Sequence, residues 1–170
     1  MTQGPEATDF EGLLRVLSNG GVDFIVIGGV AAHALGSPRT TVDLDIVYAR
    51  TPENLRRLAQ ALKPLNPYLR GAPAGLPFVF DAETIERGLN FTLTTDMGSL
   101  DVLGEVAGGG FYDQLLADSV EIDVEGVRCR CVTLERLIHL KRAAGRLKDL
   151  NIIAELEALL EERDDLSGER

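Results

Sequence analysis

The chain has 170 residues, of which 45% are hydrophobic and 26% charged, and its formal net charge is −10. This composition is typical of a globular protein and excludes disordered and fibrous classes. The negative charge argues against a general duplex nucleic-acid binder, which needs a positive face. The longest apolar runs, such as residues 24–32, are about half the length of a membrane-spanning helix. Because the N-terminus also lacks a basic segment followed by an apolar one, we expect a cytoplasmic protein without membrane contact.

Charge is distributed unevenly along the chain. Residues 155–170 contain seven acidic and two basic residues, whereas residues 128–148 contain seven basic residues and one acidic residue. The basic segment predicts a local anion site on an otherwise acidic protein.

The length predicts a single domain over residues 1–170. Within it we expect an α/β core over residues 8–132, C-terminal helices over residues 133–162 and an acidic tail over residues 163–170.

Helices and strands alternate in the first half of the chain. Thr8-Asp9-Phe10-Glu11 has the spacing of a capping box and predicts a first helix that ends at Gly20-Gly21. An all-apolar strand is predicted over residues 24–27, before a glycine pair and a short alanine-rich helix over residues 30–35. The next predicted elements are a strand over residues 42–48, a helix that begins at Thr51-Pro52 and ends near Lys63-Pro64, and a proline-rich loop over residues 64–77.

Antiparallel hairpins dominate the second half. The predicted elements are strands over residues 89–95 and 99–103, a short helix over residues 111–116, a hairpin of strands 121–124 and 127–132 around Glu125-Gly126, and helices over residues 134–144 and 149–162. Cys129 and Cys131 are too far apart on one strand to bond each other and are interpreted as buried residues. The pattern predicts a mixed α/β or α+β fold, with a central sheet of about five or six strands flanked by helices.

Two aspartates, Asp43 and Asp45, lie two residues apart on a predicted strand. Alternation places both carboxylates on one face and Val42, Leu44 and Ile46 on the opposite, apolar face. The like charges repel, and a divalent cation offsets that repulsion. Mg²⁺ in particular favours one or two carboxylates together with water and phosphate oxygens. The Asp-x-Asp pattern alone also fits a solvated polar face.

A glycine pair, Gly28-Gly29, ends the preceding predicted strand. Glycine lets a backbone approach a phosphate closely, and the following helix directs its free amides to the same place. Strand, glycine pair, short helix and Asp-x-Asp together resemble the polymerase-β-like nucleotidyltransferase superfamily. Asp101, on a later predicted strand, lies where that family has its third carboxylate. The resemblance covers about residues 20–160, and its basic closing segment is similar to that of bacterial abortive-infection and toxin-antitoxin nucleotidyltransferases.

The resemblance implies a metal-dependent enzyme that transfers a nucleotidyl group from a nucleoside triphosphate to a hydroxyl acceptor. Its catalytic residues, which would also hold Mg²⁺ or Mn²⁺, would be Asp43, Asp45 and Asp101. The residues expected to bind the nucleoside triphosphate are Gly28, Gly29, Arg39, Lys141 and Lys148. The acceptor stays open among an RNA end, a protein and a small molecule, and a toxin-antitoxin or phage-defence role is an analogy.

The basic segment predicts a phosphate-binding stripe. Lys141, Gly145 and Lys148 lie at positions i, i+4 and i+7, so a helix that continued through them would place both lysines on one side. A solvated helix face explains the same pattern, and Arg39 fits a surface arginine equally well. The other polar candidates, His33, His139 and Glu105, are given no catalytic role, and Glu105 is interpreted as a loop residue.

Two further classes of function fit parts of the pattern. A noncatalytic binding or antitoxin module could keep the fold without turnover, and metal-dependent consumption of a nucleoside triphosphate would separate it from an enzyme. A sugar-nucleotide glycosyltransferase or a dehalogenase-type phosphatase also uses Asp-x-Asp, but neither accounts for the glycine pair. The phosphatase moreover expects a small hydroxyl residue soon after its aspartate, where Val47 and Tyr48 continue the strand.

Overall fold

A computed structural model describes residues 7–168 and has one seven-stranded mixed sheet with helices around it. The helices are α1 (Phe10–Asn19), α2 (Gly28–Ala34), α3 (Pro52–Leu62), α4 (Ala82–Arg87), α5 (Tyr112–Leu116), α6 (Leu134–Ala144) and α7 (Leu147–Gly168). The strands are β1 (Phe24–Ile27), β2 (Asp43–Tyr48), β3 (Tyr68–Leu69), β4 (Asn90–Thr95), β5 (Gly98–Leu103), β6 (Glu105–Val106), β7 (Gly110–Phe111), β8 (Ser119–Val124) and β9 (Val127–Val132).

The strand order in the main sheet is β3-β4-β5-β2-β1-β9-β8. The pairs β2–β5 and β1–β9 are parallel, and the remaining pairs are antiparallel. The predicted mixed α+β class is confirmed, with one strand more than the upper expected number because the two-residue strand β3 adds an edge. Of the helices described, none has the length and apolar character needed to cross a membrane.

The core lies on both sides of the sheet, since all four residues of β1 are buried. In β2 the burial alternates as predicted at the start of the strand: Leu44 and Ile46 are inaccessible, whereas Asp43 and Asp45 are partly exposed. Val42 was predicted to share the apolar face, but this was wrong. It precedes β2 and is 72% exposed, because the strand begins only at Asp43.

Side-chain caps explain where the first and third helices begin. The carboxylate of Asp9 accepts a hydrogen bond from the Gly12 amide at 2.9 Å, so Asp9 caps α1, one residue after the capping-box position expected for Thr8. Thr51 caps α3 through the Asn54 amide at 3.3 Å, and Pro52 follows it, as predicted. Both helices place leucines in the core.

The β8–β9 hairpin has the predicted two-residue turn, with φ of 49° at Glu125 and 83° at Gly126. Both positive angles are those of a turn that matches the twist of the flanking strands. Cys129 and Cys131 are free and buried in β9, and burial raises their thiol pKa values to about 11 and about 12. They therefore stay protonated near neutral pH, in agreement with the interpretation as buried core residues.

Several elements differ from the sequence prediction. The expected loop over residues 64–77 contains part of a 3₁₀ turn (Lys63–Leu65) and the edge strand β3. Glu105 was interpreted as a loop residue, but it lies in β6, which pairs with β7 in a separate two-stranded sheet. The helix α4 was not predicted. The last helix begins two residues earlier than expected and continues to Gly168, so most of the expected acidic tail is helical.

Asn54 provides a test of how the sheet and α3 are joined. It is buried, its amide nitrogen donates to the carbonyls of Asp23 (3.1 Å) and Ala49 (2.7 Å), and its oxygen accepts from the Asp23 amide (2.7 Å). We expect Asn54→Ala to lower the free energy of unfolding by about 3 kcal/mol, measured by urea denaturation, because buried backbone groups lose their partners. Gln60→Ala, an exposed change on the same helix, is expected to cost less than about 0.5 kcal/mol. If both variants lost the same free energy of unfolding, the hydrogen bonds of Asn54 would not have this stabilising role.

Candidate active site

Three aspartates meet on one face of the central sheet. Asp45 of β2 is the register partner of Asp101 of β5, and Asp43 is the partner of Ser99. Residues paired in register on parallel strands project to the same side, so the three carboxylates lie together above the apolar layer. The structure thus brings together the three aspartates that the sequence singled out as catalytic residues.

The glycine pair packs against this acidic face. Gly28 has φ of +69°, and a Cβ atom built there would lie 2.1 Å from Asp45 Oδ2. A Cβ on Gly29 would lie 2.7 Å from the Cβ of Thr41. Both glycines are therefore required by the side chains of the neighbouring segment, and Gly28 also by its backbone angle. Their expected contact with a phosphate stays a prediction.

The crowding of carboxylates changes the acidity of Asp45. Burial raises its pKa to about 7, and a hydrogen bond and repulsion from Asp101 and repulsion from Asp43 act in the same direction, while Lys141 opposes them. Asp45 therefore holds a proton over much of the range in which an ordinary aspartate is ionised. The proton on Asp45 reduces the repulsion among the three carboxylates.

Arg70, which the sequence analysis did not single out, also contacts the acidic face. Its Nη2 lies 2.9 Å from Asp101 Oδ1, and its Nη1 lies 3.8 Å from Asp43 Oδ1. The Arg70 amide donates to the carbonyl of Thr92 at 2.9 Å, which extends the pairing of β3 with β4. No local pattern could have indicated this residue, because a two-residue edge strand within a proline-rich segment carries no periodicity.

The donor chemistry of the acidic face fits a hard divalent cation. Carboxylate oxygens are preferred ligands of Mg²⁺, and the buried Asp101 Oδ1 has the charge contact with Arg70 but no well-oriented hydrogen bond. Within residues 7–168, however, no group of three or more His, Cys, Asp or Glu side chains is already arranged to hold a metal ion. The guanidinium of Arg70 lies against two of the three aspartates instead.

Lys141 and Arg146, on either side of the end of α6, line the same depressions as the aspartates, and we call this pair the basic wall. Asp149 is completely buried, and its carboxylate contacts Lys141 Nζ at 3.4 Å and Arg146 Nε at 2.6 Å. Burial alone would raise the pKa of Asp149, but the contacts with Arg146 and Lys141 lower it below its ordinary value. Asp149 therefore stays ionised and joins two cations from either side of the junction. Sequence reasoning missed it because it ends a basic run.

The predicted continuous lysine stripe is wrong. Gly145 adopts a left-handed conformation with φ of 65° and donates its amide to the carbonyl of Lys141, which ends α6, and α7 begins at Leu147. Lys141 and Lys148 consequently lie on different helices. Both nevertheless line one depression, together with Arg146 and Arg39.

Arg39 was expected to help bind the nucleoside triphosphate. It pairs with Glu155 of α7 through two contacts of 2.7 Å, Nε to Oε2 and Nη2 to Oε1. This bidentate geometry ties the segment before β2 to the last helix. Arg39 also lines the depression, and its expected phosphate contact stays a prediction. The side chain of Lys148 is exposed at the start of α7.

Two depressions meet at the aspartates and share Asp45, Asp101, Lys141 and Arg146. One, which we call the polar pocket, has a volume of about 270 Å³ and is also lined by hydroxyl and cationic residues: Ser37, Arg39, Thr40, Thr41 and Lys148. The other, the mixed pocket, has a volume of about 350 Å³ and has an apolar wall with two polar side chains: Leu103, Val106, Leu137, Leu140, Asn90 and Glu105. The first has the chemistry of a phosphate site, and the second suits an organic group.

The raised pKa of Asp45 predicts a pH-dependent stability. Between the ordinary value of 3.8 and about 7 the folded protein holds a proton that the unfolded chain has released, so stability falls as the pH rises through this window. Asp45→Asn removes that cost. In metal-free buffer we expect the variant to melt at a higher temperature than the wild type at about pH 8, with a smaller difference at about pH 5. Asp113→Asn, an exposed change, is the control. If Asp45→Asn were less stable than the wild type at about pH 8, the raised pKa of Asp45 would be refuted.

The buried Asp149 predicts the opposite pH dependence. Asp149→Asn leaves two cations without their partner, so we expect a loss of about 3 kcal/mol in the free energy of unfolding near pH 7. Because the pKa is lowered, this contribution is present above the ordinary value of 3.8 and disappears as the pH falls below it. Asp164→Asn, on the exposed part of α7, is expected to change little. Denaturant titrations at several pH values measure both variants, and a pH-independent loss would contradict the ionic role.

Two solved structures share this architecture. The match to the lincosamide antibiotic adenylyltransferase LnuA, crystallised with lincomycin, covers 90% of this chain and 98% of that chain, with 14% identity and a TM-score of 0.59. The match to a candidate nucleotidyltransferase from Thermotoga maritima covers 89% and 90%, with 15% identity and a TM-score of 0.52. No protein family model and no curated protein matches the sequence. The chain therefore has the nucleotidyltransferase-like fold that its glycine pair and its aspartates predicted.

Proposed function

We propose that the protein is a metal-dependent nucleotidyltransferase that modifies a hydroxyl group of a small molecule. The proposal is carried by one arrangement: Asp43, Asp45 and Asp101 lie on one face of the sheet, opposite the basic wall that contains Lys141 and Arg146. Acidic residues that can hold a cation and basic residues that can hold phosphates are the two requirements for phosphoryl chemistry. The fold, shared with LnuA, favours the same reaction class.

The proposed reaction forms a bond between the acceptor hydroxyl oxygen and the α-phosphorus of a nucleoside triphosphate. The bond from that phosphorus to the oxygen bridging to the β-phosphate breaks, and pyrophosphate leaves with the electron pair. Asp43, Asp45 and Asp101 would hold Mg²⁺ or Mn²⁺, which, when bound, neutralises phosphate charge and aligns the reacting groups. The hydroxyl proton passes to a carboxylate, for which Asp101 is the candidate.

The basic residues have a separate part in this proposal. Lys141 and Arg146 border both pockets, so they would contact phosphates at the junction, which is where the proposal puts the α-phosphate. Lys148 and Arg39 lie in the polar pocket, where they would contact the outer phosphates. Gly28 and Gly29 would contribute by letting the start of α2 approach the same phosphates.

The mixed pocket supports a small acceptor in preference to a long nucleic acid. Its volume of about 350 Å³ is within the range of small-molecule sites, and its apolar wall suits an organic group. The net charge of −10 disfavours RNA. The small molecule lincomycin is bound in the LnuA structure, which favours the same acceptor class here. An RNA end or a protein hydroxyl is the alternative acceptor, and a toxin-antitoxin role is an analogy from the sequence.

Asp101→Asn provides the direct test. The variant keeps the shape of the side chain but removes the proton acceptor, so we expect nucleotide binding within a few fold of the wild type and a loss of transfer of about 10² to 10⁴. Transfer is measured with each α-³²P-labelled nucleoside triphosphate, Mg²⁺ or Mn²⁺, and hydroxyl-bearing small molecules, antibiotics included. The control, Asp113→Asn, changes an exposed aspartate of α5.

The outcomes separate the competing functions. Labelled small molecules together with pyrophosphate support the proposal, whereas label in RNA or protein from a cell extract would transfer the same chemistry to another acceptor. Nucleotide binding without consumption by the wild type would favour a noncatalytic module. Transfer at the wild-type rate by Asp101→Asn would remove Asp101 from the mechanism.

A further inference from the structure

The side chain of Arg70 is the cation that contacts the acidic face directly in the described part of the chain. Its Nη2 lies 2.9 Å from Asp101 Oδ1 and its Nη1 lies 3.8 Å from Asp43 Oδ1. The two cations of the basic wall, Lys141 and Arg146, are instead paired with Asp149. Arg70 thus lies between the two outer aspartates of the proposed cation site.

The geometry of this contact is unlike that of a permanent ion pair. Arg70 Nε is buried without a hydrogen-bond partner, and Nη2, although 2.9 Å from the buried Asp101 Oδ1, is not oriented to donate a hydrogen bond to it. Arg39 and Glu155, in the same protein, form two contacts of 2.7 Å in the parallel arrangement that is strongest for arginine and carboxylate. The guanidinium of Arg70 is held mainly by charge and by one hydrogen bond from Nη2 to the carbonyl of Leu93 at 2.7 Å.

Partial burial makes this positive charge effective. The side chain of Arg70 is 27% exposed, and that of Asp101 is 23% exposed, so water screens the pair less than it screens an ordinary surface pair. A divalent cation bound by the same aspartates would be repelled by the guanidinium. A divalent cation held by these aspartates would therefore compete with Arg70 for the same carboxylates.

We propose that Arg70 is an internal counter-cation that a divalent metal ion must displace, so that it weakens metal binding until a nucleotide is present. The proposal takes the position of the metal from the proposed function. In the metal-free protein Arg70 offsets the repulsion between Asp43 and Asp101. The phosphates of a nucleotide add negative charge at the same place, which favours the metal ion and gives the released guanidinium other anions to contact.

The test measures metal binding without turnover. Mn²⁺ is titrated into the metal-free full-length protein and followed by electron paramagnetic resonance, for the wild type, Arg70→Gln and Arg87→Gln. We expect Arg70→Gln to bind Mn²⁺ about tenfold more tightly or better, because it removes a positive charge that contacts two of the proposed metal ligands. Arg87 is exposed and paired with Glu83 on α4, so its variant should bind as the wild type does. Unchanged or weaker binding by Arg70→Gln would overturn the proposal.

A second measurement uses the wild-type protein and does not depend on the folding of a variant. The Nε–H resonance of Arg70 in ¹⁵N-labelled protein should shift as Mg²⁺ saturates the site, whereas that of Arg87 should not. An Arg70 resonance that stays unchanged at saturation would show that the guanidinium keeps its contacts, and would also overturn the proposal.

Asp43→Asn distinguishes failure of this inference from failure of the proposed function. If the proposed site is correct, this variant loses Mn²⁺ binding. Loss of binding in Asp43→Asn, together with no gain in Arg70→Gln, would refute the role of Arg70 alone. Mn²⁺ binding that survives in Asp43→Asn would refute the site itself, and with it the displacement of Arg70.

Discussion

Repulsion between carboxylates on adjacent strands is the constraint around which this site is built. The parallel pairing of β2 with β5 places Asp45 opposite Asp101, with Asp43 on the same face. The other features of the acidic face reduce this repulsion. The pKa of Asp45 is raised to about 7, and the guanidinium of Arg70 contacts Asp43 and Asp101. Gly28 leaves room for the Asp45 carboxylate, and Lys141 lies near enough to favour its ionised form.

The opposite face of the same strands explains how the protein tolerates this repulsion. Leu44 and Ile46 of β2, with Leu100 and Val102 of β5, are inaccessible to solvent, and burial of such side chains stabilises the fold by about 1.5 to 3 kcal/mol each. A one-residue change of register would expose these residues and bury the carboxylates, so the register is strongly specified. The apolar layer therefore fixes the positions of the charged groups, and a rigid sheet is what a site of this kind requires.

The features that the sequence predicted depend on patterns within one element, and those that it missed depend on how separate elements pack together. Asp43 and Asp45 could be found because alternation within one strand places them together, and the glycine turn before them is equally local. Arg70 approaches Asp101 only after β3 pairs with β4 at the sheet edge. Asp149 lies at the start of α7, directly after a run of basic residues. It becomes buried where α7 packs on α6. Contacts that form only when separate elements pack together leave no periodic signal in the sequence.

The break at Gly145 shows why the error about the lysine stripe matters for the chemistry. A continuous helix would have aligned Lys141 and Lys148 along one straight side, separated by two turns. The left-handed glycine turns the chain instead, so that Arg146 and Lys141 meet at Asp149 and face the aspartates from the junction. Both cations of the wall are thus held by an internal anion, just as Asp43 and Asp101 are held by an internal cation. Under the proposed function, a ligand that carries both charges, such as a metal-bound triphosphate, would exchange partners with both pairs at once, whereas a lone ion would have to break one pair without that compensation.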